Sequence, residues 1–209
     1  PEEIEEDEPE KEEPKEEAKK PEEIEEEEPE KEEPKEEEPK TSETDTIIKT
    51  HCQNEWPNDS EMRAYCEKQQ YEGLATLNKG KPSYISETEF SIIRSHCESE
   101  WPTDFQMRAY CEEQQFEGVV ALNKGKPANI SDSEFAIIRK HCADEWPSDF
   151  QMRAYCEEQQ YEAVATLNKG KPAKVSEADF NRIRTKCANE WPTDFQMRAY
   201  CEEQEFKSI

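Results

Sequence analysis

The feature that most constrains this chain is a segment of fifteen residues that occurs four times with few changes. EWPTDFQMRAYCEEQ stands at 100–114 and again at 190–204, and close copies stand at 55–69 and 145–159. Each copy contains one cysteine and is preceded by another, so that both cysteines recur with a period of 45 residues. Such a period is typical of stacked or strung supersecondary units rather than of one large core.

Each unit is predicted to form two helices. In the third unit, Ser131 opens a capping-box pattern, and apolar residues follow at helical spacing until Pro147 ends the helix. Ser148 or Asp149 then caps a second helix, and Gly170 marks its exit. The inward face of this second helix is predicted to hold Met152, Tyr155, Cys156, Gln159, Ala163 and Leu167. We therefore predict an all-α fold of four tandem antiparallel helical hairpins.

The cysteines, one on each facing helix of a hairpin, favour disulfide bonds. Closing a loop of about fifteen residues would stabilise an undersized unit by about 3 kcal/mol. Metal ligation and free core thiols are the alternatives. Metal is considered because His precedes the first cysteine in three units, although the fourth unit has Lys186 there. An even count with one pair in each unit favours an oxidising compartment. The predicted pairs are Cys52–Cys66, Cys97–Cys111, Cys142–Cys156 and Cys187–Cys201.

Residues 1–40 differ in composition from the rest of the chain. They hold 23 acidic residues, 7 lysines and 7 of the 14 prolines, whereas all eight cysteines and all aromatic residues follow them. Such a segment buries too little apolar surface to offset the entropy of ordering, so we expect a disordered, extended acidic spacer made of two 20-residue repeats. The expected domains are this spacer at 1–40 and hairpin repeats at 41–85, 86–130, 131–175 and 176–209, the last one truncated.

Two sets of aromatic residues are candidate contact sites. A tryptophan stands beside each predicted turn and is either a binding platform or a plug for the open end of its hairpin; these residues are Trp56, Trp101, Trp146 and Trp191. Units two to four carry two phenylalanines that unit one replaces with Asp45 and Ser60. Unit one has no folded hairpin before it, so we predict that these aromatics pack against the preceding repeat: Phe90, Phe105, Phe135, Phe150, Phe180 and Phe195.

A polar residue on the apolar stripe of the second helix is expected to hydrogen-bond a backbone group of a turn. The candidates are Gln69, Gln114, Gln159 and Gln204.

The recurring motif E-W-P-x-D-F-x-M-x-x-Y-C, with a cysteine before it and Glu-Gln after it, resembles a short bacterial helical-hairpin domain of unassigned function. The resemblance covers 41–209. Members of that family stand singly or in tandem at the C-termini of bacterial proteins, behind linkers or membrane anchors, and some lack the cysteines. The resemblance implies that the thiols are a structural staple rather than an active centre, and it implies no activity.

The remaining patterns argue against several classes of function. No C-x-x-C pair or Gly-rich phosphate loop occurs, and no histidine recurs in all four units, so we expect no enzyme, no catalytic residue, no cofactor and no metal site. A formal net charge of −26 disfavours nucleic acid as a partner. No stretch is apolar enough to span a bilayer. Because the chain begins at Pro1, we expect it to be a fragment or a processed form whose signal or anchor lies upstream.

These observations together predict a non-catalytic, multivalent binding or structural module on an acidic spacer. Its expected location is outside the cytoplasm, in the periplasm or at the cell surface of a bacterium, and its expected partner is a protein or cell-wall polymer with repetitive sites. The alternative is a cytoplasmic metal-binding or metal-buffering protein that uses the Cys/His pairs and the acidic tract.

Overall fold

A computed structural model describes residues 42–209; the acidic segment and its expected disorder lie outside the described residues. Residues 42–209 contain eight helices and no strands, which confirms the predicted all-α fold. None of these helices has the length and apolar content needed to cross a membrane. The helices are α1 Glu43–Glu55, α2 Ser60–Leu77, α3 Glu87–Glu100, α4 Phe105–Leu122, α5 Asp132–Glu145, α6 Phe150–Leu167, α7 Glu177–Glu190 and α8 Phe195–Lys207.

The first helix of each hairpin starts and stops where local sequence dictates. Its N-cap is a serine in all four repeats, and the predicted capping box is complete at Ser131, where the backbone N–H of Glu134 donates to the serine hydroxyl and the glutamate accepts from the serine N–H. The helix ends at a tryptophan C-cap, because the proline that follows has no N–H to continue the helix. This short turn reverses the chain.

The second helix begins at an aspartate N-cap, so Asp149 and not Ser148 is the cap in the third repeat. Its carboxylate accepts from the backbone N–H of Met152, as is typical of an N-cap. The helix exit contains a glycine with positive φ in the first three repeats; for Gly170 the value is 84°, in the region that glycine adopts most readily.

All four predicted disulfides are present. The Cα–Cα separation is 5.7 Å in the first three pairs and 5.8 Å in the fourth, within the range that a disulfide spans readily. The four cysteines of the first helices are fully buried. Each disulfide joins the two helices of one hairpin, and a fully buried isoleucine lies one turn before each of these cysteines: Ile48, Ile93, Ile138 and Ile183.

Successive hairpins are in contact. Each first helix packs on the second helix of its own hairpin, and the second helices pack on one another in the order α2, α4, α6 and α8. Residues 42–209 therefore belong to one compact unit. The second helices form its continuous spine, and the first helices lie beside them.

The inward face of the second helix differs from the predicted one by about one residue. In α6 the buried side chains include Glu157, Gln160 and Val164, whereas Tyr155 is 56% exposed and Gln159 is only half-buried. An apolar-stripe pattern misses this face because two of its members are polar. Glu157 accepts from the hydroxyl of Tyr161 and pairs with Arg139. Gln160 makes hydrogen bonds to the next hairpin.

Candidate functional site

The junction between successive hairpins is the most elaborate polar arrangement in the described residues. At the first junction the backbone N–H of Phe105 donates to Gln70 Oε1 at 2.6 Å. Gln70 Nε2 in turn donates to Asp104 Oδ1 at 2.9 Å, and the same oxygen caps the N–H of Met107. The first N–H groups of a helix have no partner within the helix, so Gln70 and Asp104 together accept hydrogen bonds from the N–H groups at the start of α4. One hairpin thus caps a helix of the next.

This clamp is repeated at the other two junctions. Gln115 accepts from the N–H of Phe150 and Gln160 from the N–H of Phe195, both at 2.6 Å. These clamp glutamines are 2–3% exposed. The fourth repeat has Glu205 at this position, and its carboxylate pairs with Lys186 at 2.7 Å. The clamp is therefore made at the three junctions where a following hairpin provides a helix start.

The apolar-stripe pattern predicted a turn-binding glutamine one residue earlier, and this prediction is wrong by that one residue. Gln114 is half-buried and receives a hydrogen bond from Gln151 Nε2 at 3.2 Å. The bond to a turn backbone group is made by Gln115 instead. The predicted chemistry was right, but the residue differs, because one residue of helix rotates a side chain by roughly 100°.

A histidine lies beside the clamp in the first three repeats. His51 Nε2 lies 3.8 Å from Glu55 Oε2 and 3.8 Å from Asp104 Oδ2, and its Nδ1 lies 3.4 Å from Thr103 Oγ1. His96 and His141 occupy the equivalent places, and Lys186 replaces them in the fourth repeat. The ring thus stands between a carboxylate of its own helix and the cap aspartate of the next hairpin.

Two groups of potential metal ligands occur among the described residues, and each includes a disulfide sulfur. One group is His51, Glu55 and Cys66, and the other is its equivalent in the third repeat. Cys66 is bonded to Cys52, so it offers no thiolate, the form in which cysteine binds metal. One imidazole and one carboxylate fall short of the four ligands of a structural zinc site.

A groove opens at the same place at the first and second junctions. Its volume is about 490 Å³ at the first and about 970 Å³ at the second. All the residues that line the first groove have their equivalents, 45 positions later, in the lining of the second: Thr46, Ile47, Thr50, His51, Asn54, Glu55 and Thr103. The groove therefore arises from the repeated sequence and not from a local feature of one junction.

The tryptophans lie at the rims of these turns. They are 36–38% exposed, and Trp101 and Trp146 both line the second groove. Tyr110 lines it as well and is 55% exposed, and a tyrosine at the same position in each repeat is exposed to a similar degree. The place of this tyrosine in the motif predicted an inward side chain, so it was not among the predicted site residues.

The six predicted inter-repeat phenylalanines divide into two sets. The structure places Phe105, Phe150 and Phe195 against the preceding hairpin; Phe150, for example, packs with Ile93 and Val119 of the second repeat. The other three are corrected, because each stacks on an aromatic of its own hairpin. Their ring centroids lie 5.8–6.3 Å apart in the pairs Phe90–Phe116, Phe135–Tyr161 and Phe180–Phe206.

A buried glutamate and an arginine complete each of the three junctions, and the sequence patterns did not point to either. Arg94 Nε lies 2.9 Å from the carboxylate of Glu112, and its Nη2 donates to the carbonyl of Leu77 in the preceding repeat. Burial raises the pKa of Glu112, and the nearby Arg94 only partly offsets this effect. Burial likewise raises the pKa of Glu157 in the third repeat.

Comparison with protein-family models, with curated proteins and with solved structures finds no match for this chain. The resemblance of the Trp-Pro motif to a bacterial hairpin domain therefore stays an expectation. A function can be proposed only on the basis of the junctions and the grooves themselves.

Proposed function

We propose that residues 42–209 act as a non-catalytic, multivalent binding or structural module that works outside the cytoplasm. The observation that carries this proposal is the recurrence of one groove, built from equivalent residues, at two successive junctions. The polar groups of the junction hold the hairpins together. The clamp glutamine is buried, and the cap aspartate accepts both from this glutamine and from a backbone N–H of its own helix. The groove beside it is open to a ligand.

Repetition gives such a module its affinity. A single shallow groove binds weakly, but a partner that carries the same feature repeatedly engages a second groove at a high effective concentration. Avidity then exceeds the affinity of one site by about 10²–10⁴-fold. A partner protein or cell-wall polymer with repetitive sites would meet this condition, and the acidic segment would serve as its spacer.

The proposed location is the periplasm or cell surface. One disulfide in each hairpin is compatible with an oxidising compartment, because cytosolic thiols are kept reduced. Intact mass with and without alkylation, on protein trapped in acid at harvest, tests the redox state. Eight fewer hydrogens and no alkylation are expected. Eight alkylated thiols would contradict the proposal and favour the cytoplasmic metal-binding alternative.

The binding test is co-sedimentation of the whole chain with insoluble bacterial envelope fractions. One variant carries a blocked first groove, one a blocked second groove, and one has both blocked by the substitutions described below. Avidity predicts that either single block already lowers retention by far more than half, because the remaining groove binds only weakly, and that the double block abolishes retention. Retention that falls in proportion to the grooves lost, or that is absent in the unaltered chain, would contradict a multivalent role.

A further inference from the structure

We propose that the repeated groove binds an uncharged, polyhydroxylated chain, that is, a neutral glycan. This inference rests on the proposed binding function and names the chemical class of its ligand. Three features of the groove carry it: a stripe of hydroxyl and amide side chains, aromatic residues on the rim, and the absence of lysine and arginine from both linings.

The stripe lies on the first helix of the hairpin that contributes it. In the second groove it consists of Ser91, Ser95 and Ser99, which are spaced four residues apart and so lie on one side of α3. In the first groove the same positions hold Thr46, Thr50 and Asn54. All six are exposed and uncharged in a chain that is 38% charged. Hydroxyl and amide groups both donate and accept hydrogen bonds, as the hydroxyl groups of a sugar require.

The rim supplies flat apolar surface next to this stripe. Trp101 and Trp146 are 37% and 36% exposed, and Tyr110 is 55% exposed, all in the lining of the second groove. Large aromatic side chains combine an apolar face with a polar tip. A pyranose ring presents the same combination, with C–H groups on its face and hydroxyls at its edge.

The charge of the groove disfavours an anionic chain. The carboxylates in the second groove are Glu100, Glu145 and Asp149, and they would repel an anionic ligand. Asp149 is half-buried, caps α6 and accepts from Gln115. Glu100 and Glu145 stay exposed, and Glu145 lies 3.7 Å from His141 Nε2. The hydroxyl stripe and the aromatic rim, rather than charge, favour a neutral chain over a basic peptide, and the test below therefore includes a cationic probe.

The third junction provides a natural contrast. At its stripe positions the third repeat carries Ala136, Lys140 and Asp144, and Lys140 pairs with Asp144 at 2.5 Å. The hairpin fold thus accepts a lysine and an aspartate at the second and third stripe positions. The same two residues can therefore be introduced at the equivalent positions of the other grooves, where they add charges that this fold already tolerates.

The test uses the whole chain and four variants: three sets of substitutions, and a fourth variant that combines the blocks of the first and second grooves. Ser95→Lys with Ser99→Asp blocks the second groove, Thr50→Lys with Asn54→Asp blocks the first, and Lys140→Ser with Asp144→Ser removes the charges at the third. Circular dichroism and melting check that each variant is folded. Binding is followed by tryptophan fluorescence and calorimetry with soluble oligomers of N-acetylglucosamine and of glucose, with oligogalacturonate as the anionic probe and oligolysine as the cationic probe.

We expect at least one of the neutral oligomers to bind, oligogalacturonate not to bind, and blocking both grooves to weaken binding by about tenfold or more. The third variant should bind at least as well as the unaltered chain. The inference is overturned if neither neutral oligomer binds, or if blocking the grooves leaves their binding unchanged. If only oligolysine binds and the blocks abolish it, the glycan inference fails while the multivalent function stands. Absence of envelope retention in the unaltered chain would contradict the function itself.

Discussion

At the scale of the residue, the clamp glutamine is the side chain that ties hairpins together. Gln115 is 3% exposed, accepts from the N–H of Phe150 and donates to Asp149. A buried amide that makes both kinds of hydrogen bond offsets its desolvation, whereas removing it leaves a buried N–H without a partner. Its neighbour Gln114 makes only peripheral side-chain hydrogen bonds.

Replacing the clamp should therefore weaken the array. Gln115→Ala is expected to lower the free energy of unfolding by about 1–3 kcal/mol, because it leaves the helix start unpaired. Gln115→Glu, which copies Glu205 of the fourth repeat, should be at least as damaging, because a carboxylate would face Asp149 and could not donate to it. Gln114→Ala is the matched control. Denaturant unfolding measures all three, and an equal loss at Gln114 would show that the clamp has no special role.

The buried glutamates give stability a pH dependence whose sign follows from their burial. Burial raises the pKa of Glu112 and Glu157 in the folded state above the ordinary value of 4.5. The folded state then holds these protons more tightly than the unfolded chain. Their contribution to stability is therefore fully present below about pH 4.5 and is lost as the pH rises through the folded-state pKa.

The test compares the free energy of unfolding of the unaltered chain and of a Glu112→Gln, Glu157→Gln variant from pH 4.5 to 7. The stability of the unaltered chain relative to the variant should fall with rising pH. The control carries Glu113→Gln and Glu158→Gln at the exposed neighbouring positions. A difference that stays flat or grows with pH would contradict the assignment.

At the scale of the element, the disulfide compensates for the small size of each hairpin. A hairpin of two short helices buries little surface on its own, and its two cysteines are 14 positions apart in sequence. Joining them restricts the unfolded chain. The cysteine pairs hold each hairpin closed, while the clamps and phenylalanines hold successive hairpins together.

Reduction should lower the melting temperature of the hairpin region strongly. Each disulfide is expected to contribute about 2–4 kcal/mol. Calorimetry with and without reductant measures the effect, and Cys97→Ala with Cys111→Ala tests one staple alone. The single-staple variant should destabilise less than full reduction. An unchanged melting curve in reductant would show that the disulfides are dispensable.

At the scale of the whole described region, the first repeat differs from the others at three positions, two of which contact the preceding hairpin in the later repeats. It carries Asp45, Lys49 and Ser60 where the later repeats have phenylalanine, arginine and phenylalanine. Asp45 accepts instead from the hydroxyl of Tyr71 at 3.1 Å. A polar outer face is what a terminal repeat of a stacked array requires. The later repeats use the same positions for junctions and for their own aromatic pairs.

The two phenylalanine positions of the third repeat should behave differently when each receives the residue of the first repeat. Phe150→Ser removes a side chain that is 5% exposed at the second junction, and we expect a loss of about 3–5 kcal/mol. Hydrogen exchange should then rise on both sides of that junction, in α4 and α6. Phe135→Asp should raise exchange mainly within its own hairpin, where Phe135 stacks on Tyr161. Indistinguishable exchange patterns would contradict this division.

The sequence by itself determined the helices and where they end, and it favoured the disulfide pairs that the structure contains. Serine and aspartate caps, the Trp-Pro turn and the glycine exits act within a few residues, so a pattern in one unit predicts them, and four copies repeat the evidence. The cysteines could be paired because the short turn between them fixes which helix faces which. The period of 45 residues likewise predicted repeated units from the sequence alone.

Only the tertiary structure decided how the units meet. The clamp joins residues 35 positions apart, and nothing local distinguishes Gln115 from Gln114 or Phe150 from Phe135. The sequence also gave no sign that Gly118 lies at a junction, where a Cβ would come within 2.6 Å of backbone atoms of Phe150. The physical reason is that helix periodicity gives the direction of a side chain only to within about one residue, while contact between hairpins depends on that rotation and on atoms of another unit.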